Sequence, residues 1–358
     1  MSLITNATET LLATARATSS TDADLNAAAQ EFFDAIPDTS LEDANAAIRT
    51  LSNYFNLEDA SRAAFLALVC GTMVESGCDP LAIARPLTDR INSLLESSAA
   101  LADACIAEIP EVEEEDADPI ELFEETRNRI ALTLPEQNAD WEALEQFWPP
   151  AIAVFSASAE ARAAARPLRN WAAKISEYHQ AGHWLGLILS VLENEPIVAI
   201  EPQTKLGILA QISGVVDNFQ LNVLLMDKFP HLELFAGRRI PQQVVDVATG
   251  EGLQETNDTV TGVWNMYAWQ AIQPGLTLPN ADDYSSSRFW IWNEGIPEDI
   301  PLFDGRRAIL LGPASYKRTW TSQRIFANLR GSLEIQRQLT RNEIDDWLER
   351  MVAAKNPN

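Results

Sequence analysis

The chain has little of what metal, disulfide or nucleophile chemistry requires: among 358 residues there are three cysteines and three histidines. Cys70, Cys78 and Cys105 are too few, and odd in number, for a disulfide framework. They point instead to a reducing compartment. None lies in a CxxC pair, and all three fall in alanine-rich helical stretches, where a free thiol packs as a small hydrophobe. Positive charge is scarce as well. Lys and Arg number 26 against 52 Asp and Glu, a formal charge of −26, and lysine is rare beside arginine. Such a surface repels phosphate backbones and anionic lipid, which excludes general nucleic-acid and membrane-surface binding. The longest apolar run, Trp184–Leu192 (WLGLILSVL), is far short of the ~20 residues that span a bilayer. The first twenty residues have neither a basic segment nor a long apolar core, so no secretory signal is expected and the location reads as cytoplasmic. GxxxxGK[ST], GxGxxG and GxSxG are all absent, and with them the phosphate loops and the nucleophile elbow.

What is present is core material. Hydrophobic residues make up 46% of the chain, with ten Trp and thirteen Phe. That composition excludes wholesale disorder and suits two or three packed units. The acidity is uneven. Residues 1–230 hold 13 Lys/Arg against 36 Asp/Glu, and residues 231–358 hold 13 against 16. The charge and pattern predict a helical domain in two halves, 1–109 and 119–230, joined by an acidic linker at 110–118 (PEVEEEDAD). A smaller Trp-rich α+β domain, or small α/β domain, follows at 231–358. The linker lacks any apolar period and reads as solvated, or as a docking strip for a basic partner.

Helix signals recur through the first part. Leu41, Ala44, Ile48, Leu51 and Phe55 make an apolar stripe behind Ser40 and Asp43, close to a capping box. Asp59, Asp79-Pro80 and Asp118-Pro119 open further helices, with the carboxylate capping and proline at the first turn. Ala84, Leu87, Ile91, Leu94, Leu101 and Cys105 form the longest line. Helices are also expected at 138–148, 151–165, 168–193 and 203–228, broken by Pro149-Pro150 and kinked or split at Pro167. No fixed repeat is found, so the arrangement reads as a bundle or an irregular α-solenoid.

Beyond Pro230 the pattern changes. Strands are expected at 241–252, 259–269, 287–295 and 332–339, with a hairpin around Asp304-Gly305. A helix is expected near 320–329, inside a parallel crossover spanning 313–331. A last helix starts with the Thr340–Glu343 capping box.

Two places are candidate sites. In the loop Gly312–Thr319, a parallel strand at 308–311 would place Gly312, Ser315, Lys317, Arg318 and Thr319 at its carboxyl end. A helix start there would favour an anion, with Arg324 close by. The stretch 305–341 holds eight Lys/Arg and one acid, a basic strip that suits an acidic partner or the acidic helical part. The second place is His179 and His183, four apart on one helix face as zinc ligands would be. Gln180 stands at the base position, Gly182 loosens the helix, and no third ligand shares the face, so these read as core or interface histidines. His231 is expected to satisfy a backbone group at the junction. Ser285, Ser286 and Ser287 have no nearby histidine. The Trp-rich stretch 264–292 reads as core rather than a sugar-binding wall. The acidic last helix argues against a helix-turn-helix on DNA.

The combined expectation is a non-catalytic cytoplasmic protein without cofactor or metal, acting through protein–protein contacts as a scaffold, adaptor or regulatory subunit. The alternative is an enzyme or sensor for a phosphorylated or anionic small molecule held at Gly312–Thr319.

Overall fold

Short polar side chains ahead of apolar runs set most of the helix starts. The computed structural model describes residues 2–109, 118–229, 240–280, 284–314 and 317–355. In it Thr21, Ser40, Asp59 and Asp118 each accept a backbone N–H from the turn they precede, filling donors that would otherwise be orphaned. The chain divides into two compact units, Met1–Leu189 and Ser190–Asn358.

Among its described residues the first unit is helical throughout. Helices α1 (Leu3–Arg16), α2 (Asp22–Asp34), α3 (Leu41–Ser52) and α4 (Ala60–Glu75) lead to the long α5 (Leu81–Glu108). Then come α6 (Pro119–Ile130), α7 (Pro135–Ala157), α8 (Ala159–Ala165), α9 (Arg169–Ile175) and α10 (Gln180–Ser190). The expected line on α5 is buried at every position from Ala84 to Cys105. All three cysteines are free and buried, in keeping with core packing. Phe123 of α6 stacks on Tyr178, ring centroids 4.0 Å apart, and lies 5.5 Å from Trp141 of α7. These rings tie α6, α7 and the α9–α10 link together.

Two expectations here are corrected. The Pro149-Pro150 pair does not end a helix, since α7 runs straight through it. Phe147, Ala151, Val154 and Phe155 are buried around the prolines, and that packing outweighs two missing backbone bonds. Gly71 of α4 makes room, because a Cβ there would stand 2.9 Å from Pro150. The helix expected over 168–193 is split at 176–179, where the buried His179 side chain accepts the Ala181 N–H through Nδ1 at 3.0 Å. The acidic run at 110–117 lies outside the described residues.

In the second unit strands begin early. β1 (Glu195–Glu201) and β2 (Leu206–Ser213) form a hairpin, so the boundary expected at 230 falls inside this unit, and 203–228 is a strand plus α11 (Asn218–Lys228). Next come α12 (Gln242–Thr249), β3 (Glu255–Thr261), β4 (Trp264–Ala268), β5 (Leu302–Phe303) and β6 (Arg306–Pro313). β7 (Thr319–Gln323), β8 (Ser332–Gln338) and α13 (Arg341–Lys355) complete the unit. The main sheet runs β4-β6-β1-β2-β8, with β5 also on β6, and β3 and β7 form a separate ribbon. β1 and β6 are the parallel pair, with Ile200 level with Leu310. The other pairings are antiparallel.

Helices cover both faces of the sheet. Ile197, Ala199, Ile208 and Ile309 pack toward α11 and α12. Val198, Ile200, Ala308 and Leu310 pack toward α13. Strands buried on both sides read as unbroken apolar runs, which is why β1 and β2 carry no strand period. Each fully buried aliphatic contributes on the order of 1.5–3 kcal/mol.

Other corrections concern local identity. Within 241–252 the short strand expected ahead of the glycine turn is instead α12, because Val244, Val245, Val247 and Ala248 bury one helical face. Gly250 ends it at φ +83, the left-handed cap glycine favours. Residues 287–295 form no strand; a 3-10 turn precedes a single bridge, Trp290 to Tyr267. The helix expected at 320–329 begins as β7, and β8 pairs with β2 rather than closing a parallel crossover beside β6. The Asp304-Gly305 hairpin is present, with φ of +52 and +71, as a type I′ turn requires. Thr340 and Glu343 form the expected capping box. Arg337 and this box hold the Glu343 carboxyl down at about 2.

Candidate ligand pocket

The expected anion loop is not assembled as one site. Gly312 does lie at the carboxyl end of a parallel strand, but the next described element along the chain is β7 and not the helix expected there. Ser315 lies outside the described residues. Lys317 and Thr319 are exposed, and Thr319 pairs with Thr261 on the ribbon. The Arg318 guanidinium lies over the Trp292 ring at 5.5 Å. Arg324 is only 5% exposed and donates to the carbonyls of Val247 and Ala327. It belongs to the core.

The basic strip is dispersed in the same way. Arg307 sits at the opposite end of β6 from Gly312, paired with Glu195 at 2.8 Å and bonded to the carbonyls of Glu298 and Ile300. Arg337 pairs with Glu343 at 2.8 Å. His179 and His183 are not a metal pair. His179 is buried, its Nε2 3.0 Å from the Trp141 carbonyl and its Nδ1 accepting from Ala181, which fixes the neutral tautomer. Burial lowers its basicity further. His183 is exposed beside Trp184. No group of three or more His, Cys, Asp or Glu placed to hold a metal occurs among the described residues, and none of their helices is long and apolar enough to cross a membrane. His231 lies outside them.

Two concavities in the second unit do bring chemistry together. The larger, about 560 Å³, opens where β1 and β6 end. Its walls are the β1–β2 turn with Glu201, Gln203 and Lys205, the turn holding Leu276 and Leu278, and Leu311 to Pro313. Glu201 is 6% exposed, and burial raises its carboxyl above the ordinary range. Its Oε2 accepts the Thr204 hydroxyl at 2.5 Å. Lys205 turns its ammonium to Asp345 of α13 at 2.7 Å. Both Lys205 (φ +56) and Leu276 (φ +61) hold left-handed backbone, at a cost of roughly 1–2 kcal/mol each for a residue with a Cβ. Gly312 is fitted closely, since a Cβ there would stand 2.6 Å from Leu278 and 3.0 Å from the Tyr267 ring.

The smaller concavity, about 220 Å³, is lined by Asp217, Phe219, Trp320 and Ser322 among others. Asp217 caps α11 by accepting the Gln220 N–H at 2.7 Å, yet burial raises its carboxyl to about 6. The sign follows. The folded state keeps the proton over a range where the unfolded chain, near its ordinary 3.8, has released it. This group's stabilisation is therefore complete below about pH 4 and is lost as pH rises to about 6. Asparagine caps equally well and carries no charge to desolvate. Asp217→Asn is expected to raise stability at pH 7.5 by about 1–3 kcal/mol and to leave it unchanged at pH 4. Urea midpoints at the two pH values check this, and an equal change at both would refute the assignment.

Sequence reasoning missed Glu201 and Asp217 because both lie within the stretch read as helical. A signal for Glu201 existed, namely the apolar run PIVAI bounded by Glu201-Pro202. A short run closed by proline and a turn marks a buried strand. No known protein family, curated protein or solved structure matches the chain.

Proposed function

We propose that the chain is a non-catalytic cytoplasmic protein acting through protein–protein contacts, as a scaffold, adaptor or regulatory subunit, and that its helical unit recruits a basic partner. The segregation of charge supports this reading. Residues 1–189 hold 11 Lys/Arg against 31 Asp/Glu, a net of −20, whereas residues 190–358 hold 15 against 21, a net of −6. Arg62, Arg85, Arg90, Arg127, Arg129 and Lys174 already pair with acids of the same unit. The surplus acids lie mostly exposed. A field of one sign steers an oppositely charged partner and repels others.

Photo-crosslinking of the full chain in cells, followed by purification of what is captured, tests the proposal. The expected partner is basic, and its binding weakens severalfold between about 0.05 and about 0.5 M salt as screening shortens the field. The triple change Glu121→Gln, Glu125→Gln, Glu136→Gln is expected to weaken it in the same direction. A partner whose affinity ignores both changes would overturn the reading. A second reading, a small-molecule sensor in the second unit, is favoured by the 560 Å³ pocket, a size typical of ligand sites.

A further inference from the structure

Strands of α/β sheets present their ligands at carboxyl ends, where diverging connections leave a crevice. Among the described strands β1 and β6 are the parallel pair, and the larger pocket lies at their shared carboxyl end. The chemistry there is set by charge placement. Lys205 is the one cation among the described wall residues, and Asp345 holds it at 2.7 Å. Glu201 is the one acid. One of its oxygens takes the Thr204 hydroxyl, and Oε1 has no hydrogen bond among the described residues. Glu201 as a residue is 6% exposed, and a carboxylate oxygen with no protein donor at the wall of a cavity is open to exchange its water for a ligand's donor. Leu276, Leu278 and Leu311 supply apolar wall beside it.

We propose that this pocket binds a small organic amine or guanidine, its cationic head on Glu201 Oε1 and its apolar body against Leu276, Leu278 and Leu311. The proposal deepens the sensor reading and rests on it. A bound cation would take the place of water at that oxygen with a charge-assisted bond. It would also return the Glu201 carboxyl to its ordinary ionisation, which burial now opposes. An anion finds no unpaired cation among the described wall residues. The pocket's chemistry is thus the reverse of that expected from the basic residues around 312.

Phenethylamine, agmatine, phenethyl alcohol and phenylpropionate are the probes, added to the full chain at pH 7.5. Binding is read by saturation-transfer NMR and titration calorimetry. The expected result is saturable binding of the two cations, with the alcohol and the carboxylate weaker by about 10-fold or more. Glu201→Gln is expected to reduce amine affinity about 10- to 100-fold while circular dichroism stays unchanged. Leu278→Trp, which keeps the carboxyl and fills the cavity, is expected to abolish binding and serves if the Glu201 variant does not fold. Saturable binding of phenylpropionate in preference to the amines would overturn the amine assignment and leave a ligand pocket standing. Binding of no probe, or amine binding equal in wild type and both variants, would overturn the pocket along with it.

Discussion

Gly214→Ala is expected to cost the second unit about 3–5 kcal/mol, a large share of the 5–15 kcal/mol that holds an ordinary domain together. Gly214 closes β2 and turns the chain toward α11 at φ +65, a left-handed conformation that glycine adopts without strain. Lack of space matters more than the dihedral. A Cβ at this position would stand 1.9 Å from the Arg330 carbonyl oxygen, a backbone atom that cannot rotate away. Gly331 behind it is just as confined, because its own Cβ would meet Gln220 Nε2 at 2.3 Å and the Ala248 carbonyl at 2.8 Å. Gln220 is itself committed, accepting from Val216 N–H and donating to the Ala248 carbonyl. The joint between β2, α11, α12 and the approach to β8 therefore has no free direction in which to relax. Gly186 supplies the control. It lies within α10, where an added methyl would have no neighbour within 4 Å, so Gly186→Ala is expected to gain about 0.5–1 kcal/mol from helix propensity. Urea denaturation followed by tryptophan emission separates the two. A loss under about 1 kcal/mol at Gly214 would show that the Arg330 carbonyl moves cheaply and that the joint is not confined.

Legibility followed the physics of each element. Helix starts were readable because capping is local: Ser40, Asp59, Asp118 and Thr340 announce their helices within three residues. The α5 stripe and the Asp304-Gly305 turn were readable for the same reason. What failed was decided by partners distant in sequence. β1 and β2 are apolar on both faces because α11 and α13 cover opposite sides of the sheet, and such runs resemble buried helix. The valines of α12 favour strands, yet packing against α11 and the Gly250 cap made a helix. The candidate site failed on geometry rather than composition. Arg306 to Arg341 look like one strip when written in a line. A strand advances about 3.3 Å per residue, so β6 alone sets Arg307 and Gly312 about 16 Å apart. The acid that does line a pocket, Glu201, stood alone in its stretch and carried no pattern.

Arg324 gives the sharpest test of that last distinction, because as an anion ligand it would matter for binding and as a core residue it matters for folding. Its guanidinium donates through Nη1 to Val247, one of the terminal carbonyls of α12, and through Nη2 to Ala327 at 2.7 Å. Its backbone N–H meets the Gln254 carbonyl at 2.8 Å, and the Gln254 side chain returns to the Arg324 carbonyl at 2.9 Å. A cation on the last turn of a helix meets the negative end of the dipole, which compensates for the burial that lowers its basicity. Arg324→Ala removes two charge-assisted bonds, leaving the buried Val247 carbonyl with only the Gly250 N–H at 3.3 Å, and is expected to cost about 3–5 kcal/mol. Arg324→Lys keeps the charge but loses the planar fork that reaches two carbonyls at once, and is expected to cost about 1–2 kcal/mol. Thermal melting with and without inorganic phosphate discriminates between the roles. For a core residue both variants melt lower than wild type and phosphate shifts all three equally. If phosphate instead stabilised the wild type alone, the guanidinium would have to be reaching a ligand, and its bonds to Val247 and Ala327 could not be its purpose.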